Sequence, residues 1–384
     1  MSDVVGIEKI TDRAGTGAPD FTNGFNVAGS DSGISGFAHT ESANEPSSPS
    51  NGDAWLDTDN NIYKVYINGE WKDWLGTSAA AAWYGDRGIT AGGKFAGTST
   101  GKITRIDYKD ITSSGNATTF GNLSDNRTGV GSVSDASRMV IAGGNNNAGD
   151  NSNVMEYITI STTGDVTDFG DLTGSSGGLR NGVGGFSDGS RGVFASWDYG
   201  SDMEYISIQT LGNGTNFGEI TNNVGYNGMS TGSDGTYGIM GGGFTSGSLN
   251  VIHRVTIQTA ADSADFGDLT QSRGYMSTAI SNAARVCFAG GVNYGSSNSN
   301  VIDYVVASTA GNATDLGDLN VAMRKQTGTN NATLGIVCGG SNDNGSTIRN
   351  DIQKFTIETA GNASDYGDLS LQRMEFTAAS GAAS

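Results

Sequence analysis

The sequence is poor in the residues on which metal sites, disulfide frameworks and nucleic-acid-binding surfaces depend. Its 384 residues include two cysteines and two histidines, and Asp and Glu outnumber Lys and Arg by 40 to 21, which gives a net charge of −19. This acidic balance disfavours nucleic acid and anionic membranes as partners, because both bind clustered Lys and Arg. Two cysteines do not indicate a disulfide framework, and the distant His39 and His253 do not suggest a metal centre. We therefore expect no metal and no cofactor.

Long hydrophobic runs and prolines are also scarce. No apolar run reaches the length of about 18 residues that a transmembrane helix needs, so membrane insertion is not expected. All three prolines, Pro19, Pro46 and Pro49, lie in the first fifty residues. The rest of the sequence has none, so no proline interrupts a ladder of β-strands there.

What the sequence has in abundance is a repeat. A four-residue signature recurs six times: an aromatic or aliphatic residue, Gly, an acidic or amide residue, and an aliphatic residue. Its glycines are Gly121, Gly170, Gly218, Gly267, Gly317 and Gly367, spaced by 49, 48, 49, 50 and 50 residues. A regular period near this length, built from four short strands, is typical of a β-propeller blade.

The four strands of a repeat are separated by Gly, Asn, Asp and Ser. The first repeat starts at its second strand, and the chain ends in a first strand at Arg373–Ala379. Arg373 follows Gly367 by six residues, as Arg127 follows Gly121, so this strand can complete the first sheet and remove its exposed edges. We therefore predict an all-β chain with a six-bladed propeller closed by its C-terminal strand.

Composition divides the chain into three regions. Residues 1–44 are rich in Gly, Ser, Thr and Asn, and we interpret them as an extended arm for virion attachment or subunit contact, with a flexible tail as the alternative. Residues 45–78 carry the hairpin signal Asn68-Gly69 and three tryptophans, Trp55, Trp71 and Trp74, which predict a small three-stranded β-meander. Residues 79–384 hold the propeller repeats.

The repeats resemble those of kelch-type propellers. The kelch pattern has an Arg in the first strand, Gly-Gly at the end of the second, a Tyr in the third and an aromatic residue in the fourth. One repeat has Arg127, Gly143-Gly144, Tyr157 and Phe169 at these positions. Another has Arg324, Gly339-Gly340, Lys354 and Tyr366, and its Lys354 departs from the pattern.

Three segments also resemble virion proteins of tailed marine phages. The repeats do so at residues 157–160 and 169–173. Residues 49–57 and 66–71 are similar to a module common in phage tail-fibre proteins, and residues 7–20 are similar to the start of such proteins. The resemblance implies a non-enzymatic structural protein on the external surface of the virion, a tail fibre or adhesin. Its arm would bind other virion proteins, and we expect a homo-oligomer, with a trimer as the favoured state.

The connection between the second and third strands is the variable part of the repeat. The third-strand and fourth-strand positions are 12 residues apart in every repeat, whereas the second strand and third strand are separated by 9 to 15. Variable loops on a rigid scaffold are where binding sites usually lie, and aromatic and amide side chains suit a glycan. The residues predicted to bind a host-surface glycan are Phe95, Asn145, Asn146, Trp197, Tyr199, Phe244, Tyr294 and Asn342.

Two other functions stay open. A virion decoration or fibre component would use the same fold without a host ligand. A glycan-processing enzyme would need catalytic residues, but no nucleophile motif accompanies the two histidines. Most carboxylates recur with the repeat, which favours a structural role over a catalytic pair. We therefore predict no catalytic residues.

Overall fold

The computed structural model describes residues 39–42, 45–51, 53–57, 62–67, 69–73, 83–95, 101–174, 182–196, 201–221, 228–275, 279–293, 297–342 and 347–383. Within these ranges the chain forms strands and turns and no helix, which confirms the all-β class. The chain divides into two compact units, Met1–Ala79 and Ala80–Ser384. Most of the predicted arm and Trp74 lie outside the described residues, so the arm stays a prediction.

The Met1–Ala79 unit holds a sheet of four strands, one more than predicted. They are β1 (His39–Ser42), β2 (Ala54–Asp57), β3 (Ile62–Ile67) and β4 (Glu70–Asp73). Strands β2 to β4 form the predicted antiparallel meander, and β1 pairs in parallel with β2. Trp55 is buried, and its ring centroid lies 5.5 Å from that of Trp71. The sequence did not reveal β1 because a parallel pair needs no hairpin turn between its strands.

The Ala80–Ser384 unit contains six four-stranded antiparallel sheets, which we number in chain order. Sheet 1 contains β5 (Arg87–Ala91), β6 (Arg105–Asp110) and β7 (Thr118–Asn122). Sheet 2 contains β8 (Gly131–Ser134), β9 (Arg138–Ala142), β10 (Val154–Thr159) and β11 (Thr167–Asp171). Sheet 3 contains β12 (Val183–Ser187), β13 (Arg191–Ser196), β14 (Asp202–Ser207) and β15 (Thr215–Glu219).

The later sheets repeat this order. Sheet 4 contains β16 (Ser230–Ser233), β17 (Tyr237–Gly241), β18 (Val251–Thr256) and β19 (Ala264–Asp268). Sheet 5 contains β20 (Ile280–Ser281), β21 (Val286–Ala289), β22 (Val301–Val305) and β23 (Thr314–Asp318). Sheet 6 contains β24 (Thr327–Asn330), β25 (Leu334–Cys338), β28 (Asp351–Thr356) and β29 (Ser364–Asp368), with a small hairpin of β26 (Ser341–Asn342) and β27 (Thr347–Ile348) in one loop. Finally, β30 (Thr377–Gly381) pairs with β5 and completes sheet 1.

The repeat signature forms the contact between one sheet and the next. The backbone N–H of the residue after the signature glycine donates to an Asn or Asp side chain in the third-to-fourth turn of the next sheet, at 2.9–3.1 Å. The six pairs are Asn122–Asp165, Asp171–Asn213, Glu219–Asp262, Asp268–Asn312, Asp318–Asn362 and Asp368–Asn116. The last pair joins sheet 6 to sheet 1.

The signature needs glycine because this contact leaves no room for a side chain. Gly267 has a φ of +155°, and a Cβ atom on it would lie 2.3 Å from the carbonyl oxygen of Gly311 in the neighbouring turn. A residue with a Cβ would therefore separate the two sheets or distort the turn. The 50-residue period in the sequence is the distance along the chain between successive contacts of this kind.

A buried arginine stabilises each of three sheets from within. Arg127 donates to the carbonyl oxygens of Gly143 and Val154, each at 3.0 Å, and forms a buried ion pair with Glu156. The corresponding pairs are Arg273 with Asp303 in sheet 5 and Arg373 with Asp107 in sheet 1. A buried guanidinium without such an acceptor would be costly, because its desolvation is uncompensated.

Sheet 6 replaces both members of this pair with neutral residues. The kelch-like pattern predicted Arg324 at the arginine position, but the structure puts Met323 there, fully buried. Its partner in the third strand is Gln353, whose Nε2 lies 4.0 Å from the Met323 sulfur. The two charges are lost together, so neither is left buried and unpaired.

The hydrophobic core lies between neighbouring sheets. Phe169 and Leu172 of sheet 2, for example, pack with Phe194 and Ile206 of sheet 3. Another cluster joins sheet 6 to sheet 1 through Tyr366 and Phe376, among others. Burying a large apolar side chain contributes about 1.5–3 kcal/mol, so these contacts hold adjacent sheets together.

Hydroxyl and amide side chains join the first strands of neighbouring sheets. The Ser187 hydroxyl donates to the Ser134 carbonyl, and the Ser233 hydroxyl to the Ser187 carbonyl, both at 2.6 Å. The remaining links are Ser233 with Ser281, Asn330 with Ser281, Ser380 with Asn330, and Ser134 with Ser380. A cavity of about 50 Å³ lies among these strands. Ligand sites usually have volumes of about 300 Å³ or more, so the exposed loops are better candidates for a binding site than this cavity.

Candidate functional site

Each sheet of the Ala80–Ser384 unit has a left-handed residue in the segment that leads into its first strand, and we call this the lead-in position. In sheets 2, 3 and 4 the residue is Gly129, Gly182 or Gly228, with φ values of 68°, 66° and 70°. In sheets 5, 6 and 1 it is Tyr275, Lys325 or Glu375, with φ values of 50°, 57° and 57°. The same backbone conformation is therefore held by glycine in three sheets and by large side chains in the other three.

The three side-chain-bearing residues are strained. A residue with a Cβ in this conformation costs about 1–3 kcal/mol, and such strain concentrates at functional sites. Among the described residues, one other non-glycine residue, Ala136, has a positive φ. Backbone hydrogen bonds hold the row in place, with Lys325 N donating to Tyr275 O at 2.7 Å and Glu375 N to Lys325 O at 2.9 Å.

Glu375 lies between two lysines. Its Oε2 is 2.8 Å from Lys94 Nζ, and its Oε1 accepts a hydrogen bond from Lys325 Nζ. Burial acts to raise the pKa of the Glu375 carboxyl, but the charges of Lys325 and Lys94 outweigh it and lower the pKa to about 2. The side chains stay partly accessible, at 18% for Lys94, 22% for Lys325 and 21% for Glu375. We call Tyr275, Lys325, Glu375 and Lys94 the lead-in cluster.

An aromatic pair supports the cluster on the side of sheet 5. Lys325 Nζ lies 4.8 Å from the centre of the Tyr275 ring, within the range of a cation–π contact. The Tyr275 ring is itself 4.9 Å from the ring of Phe244, which is 8% exposed. Phe244, predicted as a ligand contact, therefore packs against Tyr275 and supports it.

A third lysine extends the positive charge toward sheet 2. Lys102 Nζ donates to Asn145 Oδ1 and to the carbonyl oxygen of Asn146. Burial, followed by the nearby charge of Lys94, lowers the pKa of Lys102. Asn145 and Asn146, also predicted as ligand contacts, hold this ammonium group in place.

The remaining predicted residues have different surroundings. Phe95 follows Lys94 in the chain and is 44% exposed, so it is available to a ligand. Asn342 is partly buried in β26. Trp197, Tyr199 and Tyr294 lie outside the described residues, and their proposed contacts stay predictions.

Four residues of the candidate site were missed from the sequence: Tyr275, Lys325, Glu375 and Lys94. Aligning the repeats would have shown that the residue two positions after Arg127, Arg273 and Arg373 is glycine in one repeat and not in the others. The left-handed backbone that makes this difference meaningful is visible only in the structure.

Other reactive groups in the described ranges have structural surroundings. No group of three or more His, Cys, Asp or Glu side chains there is arranged to hold a metal ion. Cys287 and Cys338 are free and buried, and burial raises the pKa of both thiols to about 12. His253 is buried, and burial lowers its pKa. Within the same ranges, no helix is long and apolar enough to span a membrane.

Comparison with protein-family models and with curated proteins gives no match to this chain.

Proposed function

We propose that the Ala80–Ser384 unit is a six-bladed β-propeller closed by β30, and that the protein is a non-enzymatic phage virion protein, a tail fibre or adhesin that binds a host-surface glycan. Three sets of contacts support the closed propeller, because each runs from sheet to sheet and also joins sheet 6 to sheet 1. They are the signature contacts, the links between first strands and the hydrophobic clusters. A closed ring has no exposed sheet edges.

The observation that carries the binding function is the departure from glycine at the lead-in position. Glycine fits the left-handed backbone without strain, and sheets 2 to 4 use it. Sheets 5, 6 and 1 keep the strained conformation and place a phenol, an ammonium and a carboxylate on one exposed part of the unit. These groups, with the exposed Phe95, have the aromatic and hydrogen-bonding character that glycan sites use.

The assignment to a virion draws on the resemblance of residues 7–20, 49–57, 66–71 and the repeats to phage fibre proteins. Immunogold labelling of phage particles with an antibody to this chain tests it. Labelling of the particle surface is expected, and particles that never carry the label would exclude the virion role while leaving the binding site to be tested separately.

A glycan array tests binding with variants that restore glycine at the lead-in position. Lys325→Gly and Tyr275→Gly put glycine where sheets 2 to 4 have it. The relief of about 1–3 kcal/mol of backbone strain should offset much of the loss of the Lys325 ion pair or the Tyr275 ring contact, so we expect both variants to stay folded. Glycan binding by the full chain should fall at least about tenfold, the effect of losing one charge-assisted hydrogen bond. Lys354→Ala, which removes a lysine from β28 in sheet 6, is the control.

The competing function, a virion component without a host ligand, predicts a different array result. In that case the lead-in cluster would serve only to connect sheets 1, 5 and 6. The full chain would then bind no glycan, and both glycine variants would leave every array signal at background.

A further inference from the structure

The lead-in cluster concentrates positive charge on a strongly acidic protein. The Ala80–Ser384 unit has five lysines, and three of them, Lys94, Lys102 and Lys325, lie in or beside the cluster. The whole chain carries a net charge of −19. Bringing ammonium groups together costs repulsion, which a bound anion offsets. Asp125 also acts on Lys102, so three ammonium groups face two carboxylates, those of Glu375 and Asp125, and the remaining positive charge favours an anionic ligand.

Glu375 shows how an anion fits between the two accessible lysines. Its two carboxylate oxygens are shared, with Oε2 facing Lys94 and Oε1 facing Lys325. Each ammonium group has three N–H donors, and within the described residues Glu375 takes one from each lysine. A ligand carboxylate can use the remaining donors on the accessible side. The cluster still has two positive charges against one negative charge.

The neighbouring aromatic residues indicate that the ligand is larger than a simple anion. Phe95 is adjacent to Lys94 in the chain and is 44% exposed, so its ring is accessible to a ligand. An aromatic ring packs against the apolar face of a sugar, and an inorganic ion would make no use of it. Tyr275 adds a second, partly buried ring beside Lys325.

We infer that the lead-in cluster binds an acidic saccharide, with a sugar carboxylate held by Lys94 and Lys325 and the sugar ring packed on Phe95. This inference rests on the proposed glycan-binding function and specifies its ligand class. Glu375 is a positioning residue, because it holds the two ammonium groups together in the absence of ligand.

Calorimetric titration of the full chain separates charge from sugar recognition. The probes are tetragalacturonate, neutral galactotetraose, a sulfated heparin tetrasaccharide and sodium acetate. We expect tetragalacturonate to bind at least about tenfold more tightly than galactotetraose, and to weaken in high salt as a charge-dependent contact does. Acetate should bind far more weakly than tetragalacturonate, because it lacks the ring.

Charge-neutral variants assign the binding to the lysines. Lys94→Gln and Lys325→Gln should each weaken tetragalacturonate binding about tenfold, whereas Lys354→Gln, a lysine substitution in β28, should leave it unchanged. Phe95→Ala should weaken tetragalacturonate binding and leave acetate binding as it was. A melting temperature within about two degrees of that of the unmodified chain shows that a variant is folded. If Lys325→Gln does not fold, Lys325→Gly replaces it as the test of the lysine.

The outcomes distinguish this inference from the proposed function. Binding of the heparin tetrasaccharide with the same dependence on Lys94 and Lys325 supports the acidic class, because this probe carries both uronate carboxylates and sulfates. Equal binding of tetragalacturonate and galactotetraose, unaffected by the lysine variants but lost in Tyr275→Gly, overturns the acidic ligand and keeps glycan binding. Absence of binding to every saccharide on the array overturns the proposed function itself. If acetate binds as tightly as tetragalacturonate, the cluster does not recognise the sugar ring and is a simple anion site.

Discussion

Two positions in the repeat of the Ala80–Ser384 unit differ in how uniform they are among the six sheets. At the third-to-fourth turns, all six sheets use the same contact, a backbone N–H bonded to an Asn or Asp of the next sheet. At the lead-in positions, three sheets have glycine and three have Tyr275, Lys325 or Glu375. Both places require unusual backbone conformations, but only the first keeps its sequence.

We interpret the uniform contact as a packing feature and the variable lead-in position as a binding feature. A contact that joins every sheet to the next must keep one geometry, because any misfit affects the neighbouring sheet. The lead-in residues are held by hydrogen bonds between backbone groups, yet their side chains differ in charge and size. A local departure from a repeat's own rule, kept despite strain, is expected at functional sites.

Deleting Arg373–Ser384 should have the largest effect, because it removes β30 from sheet 1 together with Arg373 and the buried Phe376. Asp107 would then be buried without its partner, and β5 would be an exposed edge. We expect the melting temperature to fall by about 10 °C or more, which corresponds to several kcal/mol in a domain of this size. Deleting only Ala382–Ser384, beyond β30, is the control. Equal melting of both truncated chains and the full chain would contradict closure by β30.

Arg373→Met should cost about 3–5 kcal/mol, because it removes the close ion pair of the buried Asp107 carboxylate and leaves only the longer contact with Arg105 at 3.8 Å. Sheet 6 suggests a compensating substitution, because it has the neutral pair Met323 and Gln353 at the corresponding positions. Adding Asp107→Gln to Arg373→Met should therefore restore most of the lost stability. Urea unfolding of both single variants and the double variant measures the coupling. A double variant as unstable as Arg373→Met alone would show that the neutral pair in sheet 6 is not a compensated replacement.

Gly267→Ala should destabilise the unit by about 2–4 kcal/mol, because it adds both backbone strain and a clash with the carbonyl of Gly311. Gly311→Ala is the matched control on the other side of the same contact, since a Cβ there meets nothing within 4 Å. We expect it to change stability by less than about 1 kcal/mol. Similar losses in both variants, measured by urea unfolding, would mean that the contact does not depend on the signature glycine.

Acid should weaken the lead-in cluster over a defined pH range. The folded pKa of Glu375 is about 2, below its ordinary value of 4.5, so its ionised form stabilises the fold above pH 4.5. That contribution, up to about 3 kcal/mol, is lost as the pH falls from 4.5 toward 2. The gap in unfolding free energy between the unmodified chain and Glu375→Gln should therefore be largest near pH 6 and shrink toward pH 2. A gap that is the same at pH 6 and pH 2.5 would show that the carboxylate charge contributes nothing.

Much of the fold could be predicted from the sequence because the repeat is regular. The signature glycines, the four-strand pattern and the spacing of Arg373 from Gly367 led to the prediction that the last strand completes the first sheet, and β30 pairs with β5. Strand β1 was missed because no turn signal accompanies a parallel pair. The buried arginine position of sheet 6 was assigned to Arg324 because its residue type fits the pattern, whereas the residue at that position in the structure is the adjacent Met323.

The candidate site was predicted less well. Variable loop length led to the prediction of a site on the loops that carry Phe95, Asn145 and Phe244, but composition could not distinguish an exposed aromatic residue from a packed one. Phe95 is exposed, whereas Phe244 packs under Tyr275. This distinction depends on which residue, distant in the chain, packs against the aromatic ring, and the sequence alone does not give that contact.

The all-β class, the period and the four strands of each repeat follow from the sequence, because glycine spacing and strand-forming residues act locally along the chain. The contacts of Glu375 with Lys94 and Lys325 do not, because these residues are far apart in the chain and become neighbours when sheets 1 and 6 pack together. The tertiary structure also gives Tyr275, Lys325 and Glu375 the backbone conformation that glycine adopts elsewhere. Residue type does not encode that conformation for a residue with a Cβ; the hydrogen bonds from neighbouring sheets impose it.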